Sequence, residues 1–210
     1  MHLSNWLIFC GVALVVTFTP GPGVLLAISN SLSIGPCRSM ISSLGNMMGL
    51  FIISGVTMAG MGVILATSAI AFTTLKLSGA AYLIYLGIKQ WRSKASLFSA
   101  PIYQADSHSA WRLFSQGLTV ALTNPKAILF FSALFPQFIK QDAPVLAQFT
   151  VLTITFAACA LISHAFYALL ARSLKSQFAN PRRMQLFNYA SGGLFVVLGL
   201  SLLRLRNKTI

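Results

Sequence analysis

The sequence predicts an all-α integral membrane protein: six transmembrane helices forming an inverted repeat of three and three, with the first and fourth spans broken. Three observations lead there. The chain is 56 % hydrophobic and 8 % charged, with a mean hydropathy of +0.78. No Lys, Arg, Asp or Glu occurs before Arg38, and none from Ser39 to Leu75. Proline and glycine cluster inside the first apolar run, and Pro125 interrupts the fourth. A soluble domain carries about 25 % charged residues, and crossing a bilayer takes about 20 consecutive apolar ones.

The spans follow from the apolar runs: about Trp6–Leu32, Met40–Thr67, Phe72–Gln90, Leu113–Ile139, Val145–Ala171 and Leu186–Leu203. Residues 1–210 then form a single transmembrane domain, with halves of about 1–94 and 112–210 and a polar linker at 95–111. The start, "MHLSNW", lacks a cationic region and a small-residue cleavage site, so the first run is expected to be retained as a span.

Charge sets the orientation. The first, third and fifth connections carry nine basic residues: Arg38; Lys89, Arg92, Lys94 and Arg112; Arg172, Lys175, Arg182 and Arg183. The opposite side carries five: Lys76, Lys140, Arg204, Arg206 and Lys208. The positive-inside rule puts the nine in the cytoplasm and both termini outside. The net charge of +13 lies between apolar runs rather than along a soluble face, which argues against nucleic acid as a partner. Cys10, Cys37 and Cys159 have neither metal-ligand spacing nor a disulfide framework. No metal or other cofactor is expected.

The halves resemble each other. "TPGPGVLLAI" aligns with "TNPKAILFF" when Pro22 is matched to Pro125, and "AAYLIYLGI" aligns with "GGLFVVLGL" when Gly87 is matched to Gly199. Three spans per half is an odd number, so the second half enters the membrane from the opposite face. An inverted repeat with a broken helix in each half is a transporter pattern.

The breaks supply the candidate binding site: Thr19, Pro20, Gly21, Pro22 and Gly23 in the first span, and Thr123, Asn124, Pro125 and Lys126 in the fourth. Pro20, Pro22 and Pro125 leave the carbonyls of Val16, Phe18 and Ala121 without helical donors. In hydrocarbon such groups survive only against protein or a polar cavity. Freed amides suit a carboxylate and freed carbonyls suit an ammonium, so the fitting substrate is a small zwitterion. Lys126 lies 13 residues from either end of its run, about 20 Å at helical rise. The only acids, Asp106 and Asp142, fall in connections, which leaves the substrate as the expected partner of Lys126. Asn46 and His164, the one histidine inside a span, are candidates for the pathway or a proton relay.

"FTPGPGVLLAISNSLSIG", "LKLSGAAYLIYLGIKQWR" and "ALTNPKAILFFSALFPQFI" together resemble the lysine exporter and homoserine–threonine exporter (LysE/RhtB) family, in its homoserine/threonine-exporter branch. The likeness spans nearly the whole chain. It implies a bacterial inner-membrane exporter of amino acids or derivatives, driven by the proton-motive force. In one respect the chain departs from the family pattern. Many members carry an acid where this chain has Leu50, and others carry one near Ala160. Their absence puts a carboxylate proton relay in doubt and favours a neutral substrate over a cationic one.

The expected partners are thus the lipid bilayer, a small amino acid and protons; homo-oligomerisation is left open. A passive channel or a non-transport scaffold is the alternative. An enzyme is disfavoured, because the spans hold no acid and one histidine.

Overall fold

In the computed structural model, residues 3–67, 69–92, 109–139, 143–178 and 180–204 are described. Most of the linker expected at 95–111, the acids Asp106 and Asp142, and the basic residues Lys94, Lys140, Arg206 and Lys208 lie outside them. The described chain forms eight α-helices: α1 (Leu3–Phe18), α2 (Pro22–Ile34), α3 (Pro36–Thr67), α4 (Ala69–Arg92), α5 (Ala110–Leu122), α6 (Pro125–Leu129), α7 (Val145–Phe178) and α8 (Pro181–Arg204). A π-helical turn, Phe130–Leu134, and a 3₁₀ turn, Phe135–Phe138, continue α6.

Prolines punctuate the chain. Pro22, Pro36, Pro125 and Pro181 each begin a helix, where a missing amide N–H costs nothing. Gly35 closes α2 at φ 87°, a backbone region that favours glycine, and its N–H reaches the Ser31 carbonyl at 3.0 Å.

Three stretches are long and apolar enough to cross a membrane: Pro36–Gly60, Val145–Ala171 and Arg182–Ser201. Two bent pairs add a crossing each if each pair is one span. α1 and α2 meet at 53°, and α5 meets the segment Pro125–Phe138 at 50°. The first bend falls at the Pro20–Gly23 cluster and the second at Pro125, both read from the sequence. The expected third span, Phe72–Gln90, coincides with α4, which is helical but does not reach the same apolar threshold. The fourth differs from a simple broken α-helix, because its second arm passes through π and 3₁₀ geometry.

The burial pattern is that of a membrane protein. Val56, Leu169, Val197 and Ile162 are exposed, as a lipid-facing surface requires. The interior holds Ser39, Ser42, Ser43, Asn46, Ser163, His164 and Asn188. Hydroxyls join the helices: Ser39 Oγ donates to the Ala27 carbonyl at 2.8 Å, and Ser31 Oγ donates to that of Ala168 at 2.5 Å. A phenylalanine cluster fills one end, with Phe130 stacked on Phe156 at 4.3 Å and Phe9 edge-on to Phe138 at 5.1 Å.

Glycine sets two of the closest helix pairs. A Cβ at Gly45 or Gly117 would enter the backbone of the facing helix, so α3 and α5 pack backbone to backbone. Along α4 and α8, a Cβ at Gly87 would stand 2.6 Å from the Gly192 carbonyl, and one at Gly199 would stand 2.9 Å from that of Ala80. In "GNMMG" both glycines, Gly45 and Gly49, serve such contacts, whereas Gly55 and Gly60 meet nothing within 4 Å.

Candidate functional site at the two helix breaks

The first break exposes the last carbonyls of α1, and each finds a donor. Val15 accepts from the Thr19 N–H at 3.0 Å and from Thr19 Oγ1 at 2.7 Å. Thr17 accepts from Ser163 Oγ at 2.8 Å, and Phe18 accepts from the Tyr167 hydroxyl at 2.7 Å. Val16 and Thr19 both accept from Lys126 Nζ, at 2.9 and 2.8 Å. Pro20 and Pro22 thus free the Val16 and Phe18 carbonyls as expected, and side chains from α6 and α7 satisfy them.

Lys126 is held from both ends. Asn124 caps α6 by accepting the Lys126 N–H on its side-chain oxygen at 3.0 Å, which fixes the backbone. The ammonium then crosses to the first break. In the sequence alone Lys126 has only the substrate as a partner; in the fold, the carbonyls freed by one break accept from the cation of the other. Two of the three ammonium donors are used in this way, and the third has no partner among the described residues. Gly21 makes the approach fit: a Cβ there would stand 3.0 Å from Lys126 Nζ.

Two cavities meet at this crossing. A central one of about 40 Å³ is lined by Gly21, Gly23, Asn46, Asn124, Lys126 and His164 among others. Phe156, Leu50 and Ala160 also line it. A second cavity of about 240 Å³ is lined by Pro20, Gly21, Pro22, Asn124, Pro125 and Lys126. It runs past Tyr82, Leu86 and Phe195 to Lys89 and Gln90 at the basic end of α4. We call it the vestibule. Gly21, Asn124 and Lys126 line both cavities and stand between them.

The central cavity is polar at one wall. His164 and Asn46 are each 5 % exposed, and neither side chain has a hydrogen-bond partner among the described residues. Gly23 lies against both, because a Cβ on it would stand 3.0 Å from His164 Nε2 and 3.1 Å from Asn46 Nδ2. At this size the cavity has room for water but not for an amino acid. No His, Cys, Asp and Glu grouping that could hold a metal occurs among the described residues.

Of the residues singled out from the sequence, only Thr19 and Thr123 line neither cavity. Thr19 contributes its carbonyl to Lys126, and Thr123 is exposed with its hydroxyl on the Thr119 carbonyl at 2.8 Å. Sequence reading missed Ser163 and Tyr167. They flank His164 on α7, and their value as donors for orphaned carbonyls was the available signal.

Comparison with known proteins accords with this architecture. Residues 14–206 match the LysE type translocator family. The chain is 36 % identical over 199 residues to the homoserine/homoserine lactone efflux protein of Salmonella typhi, covering 95 % of this chain and 96 % of that protein. It is 37 % identical over 202 residues to an uncharacterized membrane protein of Vibrio cholerae, covering 96 % and 98 %. No solved structure matches. The chain belongs to the LysE-type translocators: it is a multi-pass membrane transport protein and not an enzyme.

Proposed function

We propose that this translocator exports small neutral amino acids or close derivatives, of the homoserine and threonine kind, across the bacterial inner membrane, using the proton-motive force. The observation that carries the reading is the meeting of both helix breaks at Lys126, between the vestibule and the small central cavity. Backbone carbonyls and a cation face one small volume there, which suits a zwitterion. Leu50 and Ala160 leave that volume without a carboxylate, and Lys126 repels a second cation. Lysine-like side chains are therefore disfavoured. The name of the Salmonella relative supports the same class.

In this reading the chain crosses the membrane six times as an inverted repeat. Equivalent helices pair across the halves, α3 with α7 and α4 with α8. The matched glycines answer each other, Gly87 resting on α8 and Gly199 on α4. The matched prolines, Pro22 and Pro125, each begin the second arm of a bent span. The vestibule opens at the basic, cytoplasmic end. His164 and Asn46 serve the pathway, with His164 as the proton carrier.

Amino acids in the medium of cells with and without overexpression test the substrate class. Homoserine or threonine should accumulate outside only with the protein. Accumulation confined to lysine or arginine overturns the proposal.

A further inference from the structure

We infer that the Val16 and Thr19 carbonyls form a binding site for a primary ammonium, which Lys126 fills as a built-in stand-in until the substrate's α-ammonium replaces it. The inference rests on the reading that substrate passes between the breaks, and it adds which group is recognised and how the path is closed. Both carbonyls lie within 2.9 Å of one ammonium, and no carboxylate supports it among the described residues. Carbonyl pairs of this sort coordinate an N–H-bearing cation directionally, and such charge-assisted bonds are the strong ones. The site is built for this occupant. Asn124 aims the lysine, and Gly21 leaves the room that its Nζ and Cε occupy, at 3.0 and 3.1 Å from where a Cβ would stand.

The position of the site gives the ammonium a second task. Lys126, Gly21 and Asn124 form the wall shared by vestibule and central cavity. While Lys126 ties α6 to the end of α1, the wall stays shut. A substrate ammonium arriving from the vestibule takes the two carbonyls, and the freed lysine turns its charge to the substrate's carboxyl or ester oxygen. The bonds are exchanged rather than lost, so the wall opens only for a ligand that can replace them. Homoserine and homoserine lactone share the primary ammonium and a carbonyl oxygen, whereas only homoserine has a carboxylate. A carrier for both must recognise what they share.

The experiment uses thiol labelling in membrane vesicles, after Cys10, Cys37 and Cys159 are replaced by serine. Leu86→Cys reports on the vestibule and Ala160→Cys on the central cavity. A membrane-impermeant reagent is applied from whichever face labels Leu86→Cys. Ala160→Cys should react slowly while Lys126 is present, and at least about tenfold faster with Lys126→Ala. Propylammonium, which replaces the deleted atoms, should restore the slow rate; tetramethylammonium, with charge but no N–H, should not. Lys126→Met carries the same comparison if Lys126→Ala also alters the Leu86→Cys rate. An unchanged Ala160→Cys rate in both variants, or equal restoration by tetramethylammonium, overturns the site. In transport, homoserine lactone should compete with homoserine and N-acetylhomoserine should not; equal competition by the acetylated compound overturns the exchange. Labelling needs no transported substrate. A sealed wall that Lys126→Ala opens, in a protein that moves no homoserine, would keep the ammonium site and remove the export reading.

Discussion

Replacing Tyr167 by phenylalanine deletes one oxygen atom, and the consequence can be worked from the first break. The hydroxyl donates to the Phe18 carbonyl at 2.7 Å from a side chain that is 3 % exposed. In a continuous helix that carbonyl would accept from residue 22, which is a proline. No backbone donor therefore stands ready to replace the hydroxyl. An ordinary intramolecular hydrogen bond contributes about 0.5–1.5 kcal/mol net, but a buried acceptor left without a partner costs about 1–3 kcal/mol. The second figure applies here, and Tyr167→Phe should destabilise the protein by that amount. The assay is reversible unfolding in mixed detergent–lipid micelles. Tyr189→Phe serves as the comparison, since Tyr189 is exposed and its hydroxyl accepts from Gln185 at 3.0 Å; it should change stability by no more than about 0.5 kcal/mol. Equal stabilities for the two variants would refute the claim that α7 side chains hold the break open.

Gly117→Ala should destabilise by about 1–3 kcal/mol, because its Cβ would enter the Ser42 carbonyl, whereas Gly55→Ala should be near neutral; thermal inactivation in detergent compares them. Overexpression should raise tolerance to homoserine and threonine more than to lysine or arginine, scored as growth on inhibitory concentrations. Reporter fusions after Lys94 and after Arg183 should both read as cytoplasmic, and a periplasmic signal from either reverses the orientation. His164→Gln should abolish accumulation against a gradient while leaving homoserine exchange across the membrane intact, as vesicle counterflow would record.

Much of this protein was legible in its sequence, because a bilayer leaves few choices. Charge-free runs longer than a span had to be membrane helices, and the Pro20–Gly23 cluster and Pro125 marked where two of the spans bend. What composition could not supply was the way the breaks satisfy each other. The reach of Lys126 to Val16 and Thr19 depends on how the fold brings the two breaks together, which no local pattern encodes. The π and 3₁₀ turns after α6 were equally hidden, since "FFSALFPQF" reads as helix until Pro136. Ser163 and Tyr167 looked like ordinary helix-packing residues. Their role follows only from facing the carbonyls of Thr17 and Phe18. Leu50 and Ala160 stand far apart in the sequence, and the fold brings both to one small cavity.

The central claim is energised export of a neutral amino acid through the paired breaks. Everted membrane vesicles containing the protein at matched levels, loaded with no substrate and energised by respiration, give the most direct measurement. External radiolabelled homoserine should accumulate inside the vesicles above its outside concentration. An uncoupler should collapse the accumulation, and Lys126→Ala should prevent it. Homoserine that only equilibrates across the membrane, with or without the uncoupler, would contradict the account and mark the protein as a passive path.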